Sequence, residues 1–125
     1  MLFRSVLVIY PHKSLLPNQR ALWNEQLRPY GFEVGLLSDD VPESERESKL
    51  AHPIVLTTAD VVQSWFLSDA RATSAWLSRL RLVGVDQAHE CDGARGTHMA
   101  MVLRRLRAVS GGDRKSTRLN SSHRL

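Results

Sequence analysis

Asp86, Gln87 and His89 place an acid, an amide and an imidazole within one short stretch, directly behind the apolar run Leu82, Val83 and Val85. Such a run has the character of a short buried strand, so the three polar groups stand at its carboxyl tip. In open α/β sheets that tip is where ligands bind. The amide of Gln87 accepts and donates hydrogen bonds, but it carries no charge and is a very poor base.

Two further groups lie at comparable junctions. Pro11, His12 and Lys13 follow the continuously apolar run Val6-Leu7-Val8-Ile9-Tyr10 and precede a helical pattern. Backbone N–H groups at the start of a helix, together with a lysine, suit phosphate oxygens. Thr57 and Thr58 close the run Ile54-Val55-Leu56. A threonine there caps the following helix, and its hydroxyl is compatible with a phosphate contact. His89, Cys91 and His98 match no standard zinc spacing and lack a fourth ligand.

The elements that must position these groups alternate. The run Val6–Tyr10 predicts a strand buried on both faces, which Pro11 ends. A helix follows from Ser14 or Leu15, with Leu15, Leu16, Leu22, Trp23, Gln26 and Leu27 on its apolar side and Pro29-Tyr30-Gly31 at its end. Phe32, Val34, Leu36 and Leu37 predict a second strand, and Pro42 opens a short charged helix reaching about Leu50. After the third strand at Ile54–Leu56, Val61, Val62, Trp65 and Phe66 predict a helix. Ala75, Trp76 and Leu80 predict another, leading into the strand at Leu82. A polar turn through Gly93 and Gly96 then gives way to a helix over Thr97–Arg107. Trp23, Trp65 and Trp76 sit at helical core spacings, which favours packing over base stacking. This order of strand-helix units predicts an α/β fold with a mostly parallel sheet and flanking helices.

The stretch Asp86-Gln87-Ala88-His89, with the helix behind it, resembles the D-E-A-H motif of superfamily 2 nucleic-acid helicases, and is similar to the branch of YprA-like DNA helicases. Tyr10-Pro11-His12-Lys13-Ser14-Leu15 resembles that family's motif Ia. Leu56-Thr57-Thr58-Ala59-Asp60-Val61-Val62 resembles its Leu-Thr-Thr-Pro-Asp segment. The resemblance covers nearly all of residues 4–109 and implies part of a RecA-like, P-loop NTPase type domain. It implies that Asp86 holds the Mg²⁺ of bound ATP through water, that His89 couples nucleotide state to the motor, and that Pro11, His12, Lys13, Thr57 and Thr58 grip single-stranded DNA, with RNA as a further possibility. Gln87 stands where the family has Glu. His12 replaces a Thr, and Ala59 a Pro.

The sequence holds no G-x-x-x-x-G-K-[ST] phosphate loop. The expectation is therefore a fragment of the first motor domain of an ATP-dependent DNA helicase, lacking the phosphate-loop strand and the second RecA-like domain, and without hydrolysis of its own. The alternative is a non-catalytic α/β module that binds nucleic acid or a partner.

Net charge is +4 over 125 residues, yet four of the 17 basic residues and one of the 13 acidic ones lie in the last thirteen positions. The near-neutral body, residues 1–112, does not carry the footprint of a basic nucleic-acid-binding surface. Asp113 to His123 resembles the translation of a sequencing adapter, so residues 113–125 are expected to be an artefactual, disordered tail after a partial helicase domain at 1–112. A single cysteine excludes an internal disulfide and is compatible with a cytoplasmic setting. No apolar run reaches the length of a membrane span.

Overall fold

In the computed structural model, which describes residues 5–87, 93–110 and the backbone of 116–119, the first apolar run becomes the central strand β1 (Ser5–Tyr10). Successive side chains of a strand point to opposite faces. Leu7 and Ile9 therefore enter one apolar cluster, and Val8 and Tyr10 enter another on the other side. This is why the run is apolar without alternation: both faces are covered.

Five strands form one sheet in the order β2-β3-β1-β4-β5, with every pairing parallel. They are β2 (Gly35–Leu37), β3 (Ile54–Thr58), β4 (Leu80–Val85) and β5 (Ser116–Leu119), besides β1. One face carries α1 (Leu16–Leu27), which buries Leu16 and Gln19. The other face holds the larger core. There α3 (Ala59–Val61) runs into a π-helical turn, Val62–Phe66, followed by α4 (Ala70–Ser78) and α5 (Gly93–Val109). The short α2 (Glu43–Arg46) continues as a tight turn through Glu47–Ala51. Trp65, Phe66 and Trp76 pack ring against ring at 5.1 and 5.6 Å, so two of the three tryptophans fill core.

Several boundaries differ from the periodicity. Leu80 belongs to β4, not to the helix before it, because it pairs with Ser5 at the foot of β1. The strand expected from Phe32 begins only at Gly35, and Phe32 is exposed. On α1 the expected apolar position Leu22 is exposed, while Gln19 is buried through a hydrogen bond to Tyr10. The last helix starts at Gly93, four positions before the expected Thr97, since Met99, Val102 and Leu106 anchor it and its first turn has only to follow. Residues 116–119, within the stretch expected to be a disordered tail, form β5. The free edge of β4 offers unpaired backbone groups, and Leu82–Val85 take Ser116–Leu119 as partners.

Candidate functional site

The registers align three turns on one rim. Ile9 lies opposite both Thr57 and Val85, and Tyr10 opposite Thr58. The Asp86 N–H donates to the Ile9 carbonyl at 3.1 Å, extending the ladder one residue past the end of β4. The chain therefore leaves the sheet at Pro11, at Ala59 and at Gln87 on the same carboxyl edge, where the parallel strand direction gathers loops.

Asp86 is 7% exposed. Its Oδ1 accepts the backbone N–H of Gln87 at 2.9 Å. Gln87 has φ +60°, the left-handed region that only glycine adopts without penalty. The residue is thus turned sharply off the strand, and the aspartate's own carboxylate helps hold the turn. Ala88 and His89 lie outside the described residues, so the imidazole expected beside Asp86 is not placed.

Beneath Asp86 is a buried polar chain that the sequence reading passed over. Trp23 Nε1 donates to Tyr10 Oη at 3.0 Å, and Tyr10 Oη donates to Gln19 Oε1 at 3.3 Å. Burial pushes the Tyr10 phenol well above its ordinary range. The indole donor opposes this, and the negative charge and hydrogen bonding of Asp86 push the same way as burial. The phenol is therefore a fixed neutral donor at the base of the site.

Lys13 is claimed by acids. Its Nζ lies 3.0 Å from Asp39 Oδ1 and 3.3 Å from Asp40 Oδ1, just beyond β2. Both carboxylates raise its pKa. The strand order puts β2 two strands from β1, yet the loop behind it reaches the Lys13 turn. No periodicity points to Asp39 and Asp40 as partners of Lys13, because ion pairs between distant positions leave no periodic signal.

The two threonines divide their roles. Thr57 is fully buried, and its hydroxyl donates to the Leu37 carbonyl at 2.7 Å. Thr58 caps α3, its Oγ1 accepting the Val61 N–H at 3.4 Å, and it lines the rim. Two shallow cavities meet there. One, about 350 Å³, is lined by Pro11, His12, Lys13, Ser14, Asp39, Thr58 and Asp60. The other, about 290 Å³, runs from Pro11 and Thr58 to Arg95 and His98 on α5. Pro11, Thr58 and Asp60 belong to both. A larger cavity, about 660 Å³, lies far from this chemistry, between Arg28, Phe32 and His52 at the opposite ends of the strands.

His98 Nε2 approaches Asp60 Oδ1 at 3.4 Å, short of a formed hydrogen bond among the described residues. No group of three or more His, Cys, Asp or Glu side chains is placed to hold a metal among the described residues. A magnesium ion normally takes one or two carboxylates and completes its shell with water and phosphate oxygens. The lone carboxylate of Asp86 fits that demand. The sequence holds no G-x-x-x-x-G-K-[ST] motif to cradle the phosphates themselves.

A family model for the DEAD/DEAH box helicases matches residues 4–122. The chain belongs to this family. Its match continues into the residues of β5 and beyond. Among curated relatives, the chain is 26% identical over 106 residues to the uncharacterized ATP-dependent helicase YprA of Bacillus subtilis, covering 82% of this chain and 14% of that protein. It is 29% identical over 107 residues to the ATP-dependent helicase hrq1 of Schizosaccharomyces pombe, covering 82% of this chain and 10% of that protein. The chain thus spans a small part of the length of the relatives it matches. Among solved structures, the DUF1998 helicase MrfA superposes with a TM-score of 0.80 at 22% identity, over 97% of this chain and 20% of its own. The helicase Lhr of Mycobacterium smegmatis, bound to ssDNA and AMP-PNP, gives 0.71 at 24% identity, over 97% of this chain and 17% of its own. The α/β architecture is that of RecA-like helicase domains.

Proposed function

We propose that this helicase segment is the strand-gripping and magnesium-facing portion of the first motor domain of an ATP-dependent DNA helicase, and that it does not hydrolyse ATP alone. The observation that carries the reading is the alignment of the Pro11–Lys13, Thr57–Thr58 and Asp86–Gln87 turns on one edge of a parallel sheet.

Asp86 offers a carboxylate, already oriented by the Gln87 N–H, to a magnesium ion through water. The ion, when bound with ATP, supplies charge neutralisation at the phosphates. Gln87 can orient a water molecule but cannot take its proton. His89 is assigned, from the motif alone, the sensing of nucleotide state. Pro11, His12 and Lys13 present a turn to the DNA backbone, and Thr58 adds a hydroxyl. Thr57 contributes by fixing the end of β3 to β2 through Leu37, which sets the height at which Thr58 stands. In this reading the partial domain ends at residue 112, although Ser116–Leu119 pair with β4 as β5, and the working motor adds a second RecA-like domain. The proposed setting is cytoplasmic; among the described residues no helix is long and apolar enough to cross a membrane.

The non-catalytic alternative, a small module that binds a nucleic-acid strand, is favoured by Gln87 and by the lack of a phosphate loop in the sequence. Titrating a dye-labelled oligothymidine and a fluorescent ATP analogue with Mg²⁺ into the full chain separates the readings. The helicase reading expects salt-sensitive strand binding, weak magnesium-dependent nucleotide binding lost in D86A, and no turnover. Strand binding without nucleotide binding leaves the module. Binding of neither ends both.

A further inference from the structure

Tyr10 and Asp86 are neighbours across β1 and β4. Ile9 pairs with Val85, and the Asp86 N–H continues the ladder to the Ile9 carbonyl. Ile9 and Val85 both enter the larger core, so the residue after each turns to the face that α1 covers. Tyr10 and Asp86 therefore stand side by side on that face, the phenol fully buried and the carboxylate nearly so. The charge and hydrogen bonding of Asp86 both act on the phenol.

A phenol hydroxyl has one proton to give, and its oxygen can also accept. Trp23 Nε1 donates to that oxygen at 3.0 Å and fixes where it sits. The proton has two acceptors in reach, Gln19 Oε1 and the Asp86 carboxylate. Gln19 is 3.3 Å away, long for an O–H···O bond, whose usual length is about 2.7–2.8 Å. A carboxylate is the stronger acceptor and draws the shorter bond. A buried carboxylate also needs donors, and the Gln87 N–H is one.

We propose that Tyr10 is a positioning residue for Asp86: its hydroxyl, anchored by Trp23, turns its proton from Gln19 to the carboxylate and holds that carboxylate toward magnesium. The inference rests on the magnesium-facing role of Asp86 and adds the group behind it. The change is a rotation about the phenol C–O bond, and the ring stays in place. Tyr10 leads directly into the Pro11–Lys13 turn, and Gln19 and Trp23 lie on α1 behind that turn. One set of hydrogen bonds thus ties the strand-facing turn to the magnesium-facing one.

The experiment titrates Mg²⁺ into the full chain with a fluorescent ATP analogue and reads the Mg²⁺ concentration at half-maximal binding. Y10F should raise that midpoint about tenfold, the lower end of what an orienting partner is worth to a metal site. Q19M removes the competing acceptor in a side chain of similar shape and should not raise the midpoint. A tyrosine that only packs predicts otherwise, since both variants break the same core hydrogen bond and both would weaken binding. A second measurement leaves Tyr10 unaltered. Y30F changes an exposed position and makes Tyr10 the one tyrosine of the chain. Labelled with 3-fluorotyrosine, it should give a fluorine resonance that moves with the analogue and Mg²⁺ but not with the analogue in EDTA. Should circular dichroism show Y10F unfolded, this resonance decides. If wild type binds with Mg²⁺ and D86A does not, but Y10F keeps the wild-type midpoint or the resonance stays still, Tyr10 has no positioning role and the helicase reading stands. If wild type shows no magnesium-dependent binding, both fall.

Discussion

Tyr10 shows how one side chain serves both core and site. Its ring fills the cluster beneath α1, while its hydroxyl is tied to Trp23 and Gln19 and borders Asp86. An unfolded tyrosine loses its proton near pH 10. The folded protein holds Tyr10 protonated well above that value, so folding stability falls as pH rises past about 10, by up to about 1.4 kcal/mol per pH unit. Lys13 has a raised pKa and loses its ion pairs in the same direction, so wild type alone does not separate the two. Urea unfolding of Y10F against wild type from pH 7 to 11 does. Y10F is expected to be less stable by about 1–3 kcal/mol at pH 7, because Trp23 Nε1 and Gln19 lose a buried partner. That deficit should shrink above pH 10, and a deficit constant with pH would contradict the burial of the phenol. Gln87 is the other telling residue. Its left-handed backbone would suit a glycine or asparagine, so the amide is held there by the turn that Asp86 fastens.

At the scale of elements, the rim depends on how closely β2 and the turn before β3 approach. Gly35 begins β2 directly against Glu47–Ala51 and His52. A methyl group on Gly35 would lie 2.9 Å from His52 Cδ2 and 3.0 Å from the Lys49 carbonyl oxygen. The carbonyl belongs to backbone and cannot swing away. G35A is therefore expected to destabilise the fold by about 1–3 kcal/mol. G84A, in β4 with open space around the added carbon, should change stability far less. Thermal unfolding of the two variants side by side checks the contrast, and equal losses would mean that β2 packs otherwise. The same approach carries Asp39 and Asp40 to Lys13. G35A should therefore also weaken that ion pair, although it lies well away from the substituted carbon. The short β2 is fixed from α1 as well, where Asn24 Oδ1 accepts the Val34 N–H at 2.8 Å. Gly31, with φ +79°, closes the 3-10 turn Arg28–Tyr30 that follows α1 and turns the chain toward that contact.

For the whole molecule, the sheet has two outer strands, β2 and β5. Among the described residues, the apolar clusters on both faces are built by residues before Gly112. A chain ending at Gly112 should therefore keep its α/β circular dichroism. Removing β5 bares the outer edge of β4, an open template for another chain. Size-exclusion chromatography of the shortened protein against full length should show self-association that the full chain lacks. A shortened protein that stays monomeric would mean that the β4–β5 pairing protects nothing, and one that unfolds would mean that the last residues carry core stability. The same parallel order that leaves these edges is what collects Pro11, Thr58 and Asp86 on one side, since every strand delivers its carboxyl end to the same rim.

The sequence by itself determined the alternating elements, the double-faced burial of β1 and the motif spacing that points to a helicase. These are local properties: an apolar run, a proline after it and a cap before a helix are set by neighbours along the chain. Only the tertiary structure decided which strand lies beside which, and with that the partners of the site. Lys13 meets acids 26 and 27 positions away, and His12 meets Arg95 at a separation of 83. It also turned Thr57 inward and Gln19 into the core, against what their polarity suggests, because each finds a hydrogen-bond partner there. Pairings across such separations follow from strand order and register, which no periodicity along the chain encodes.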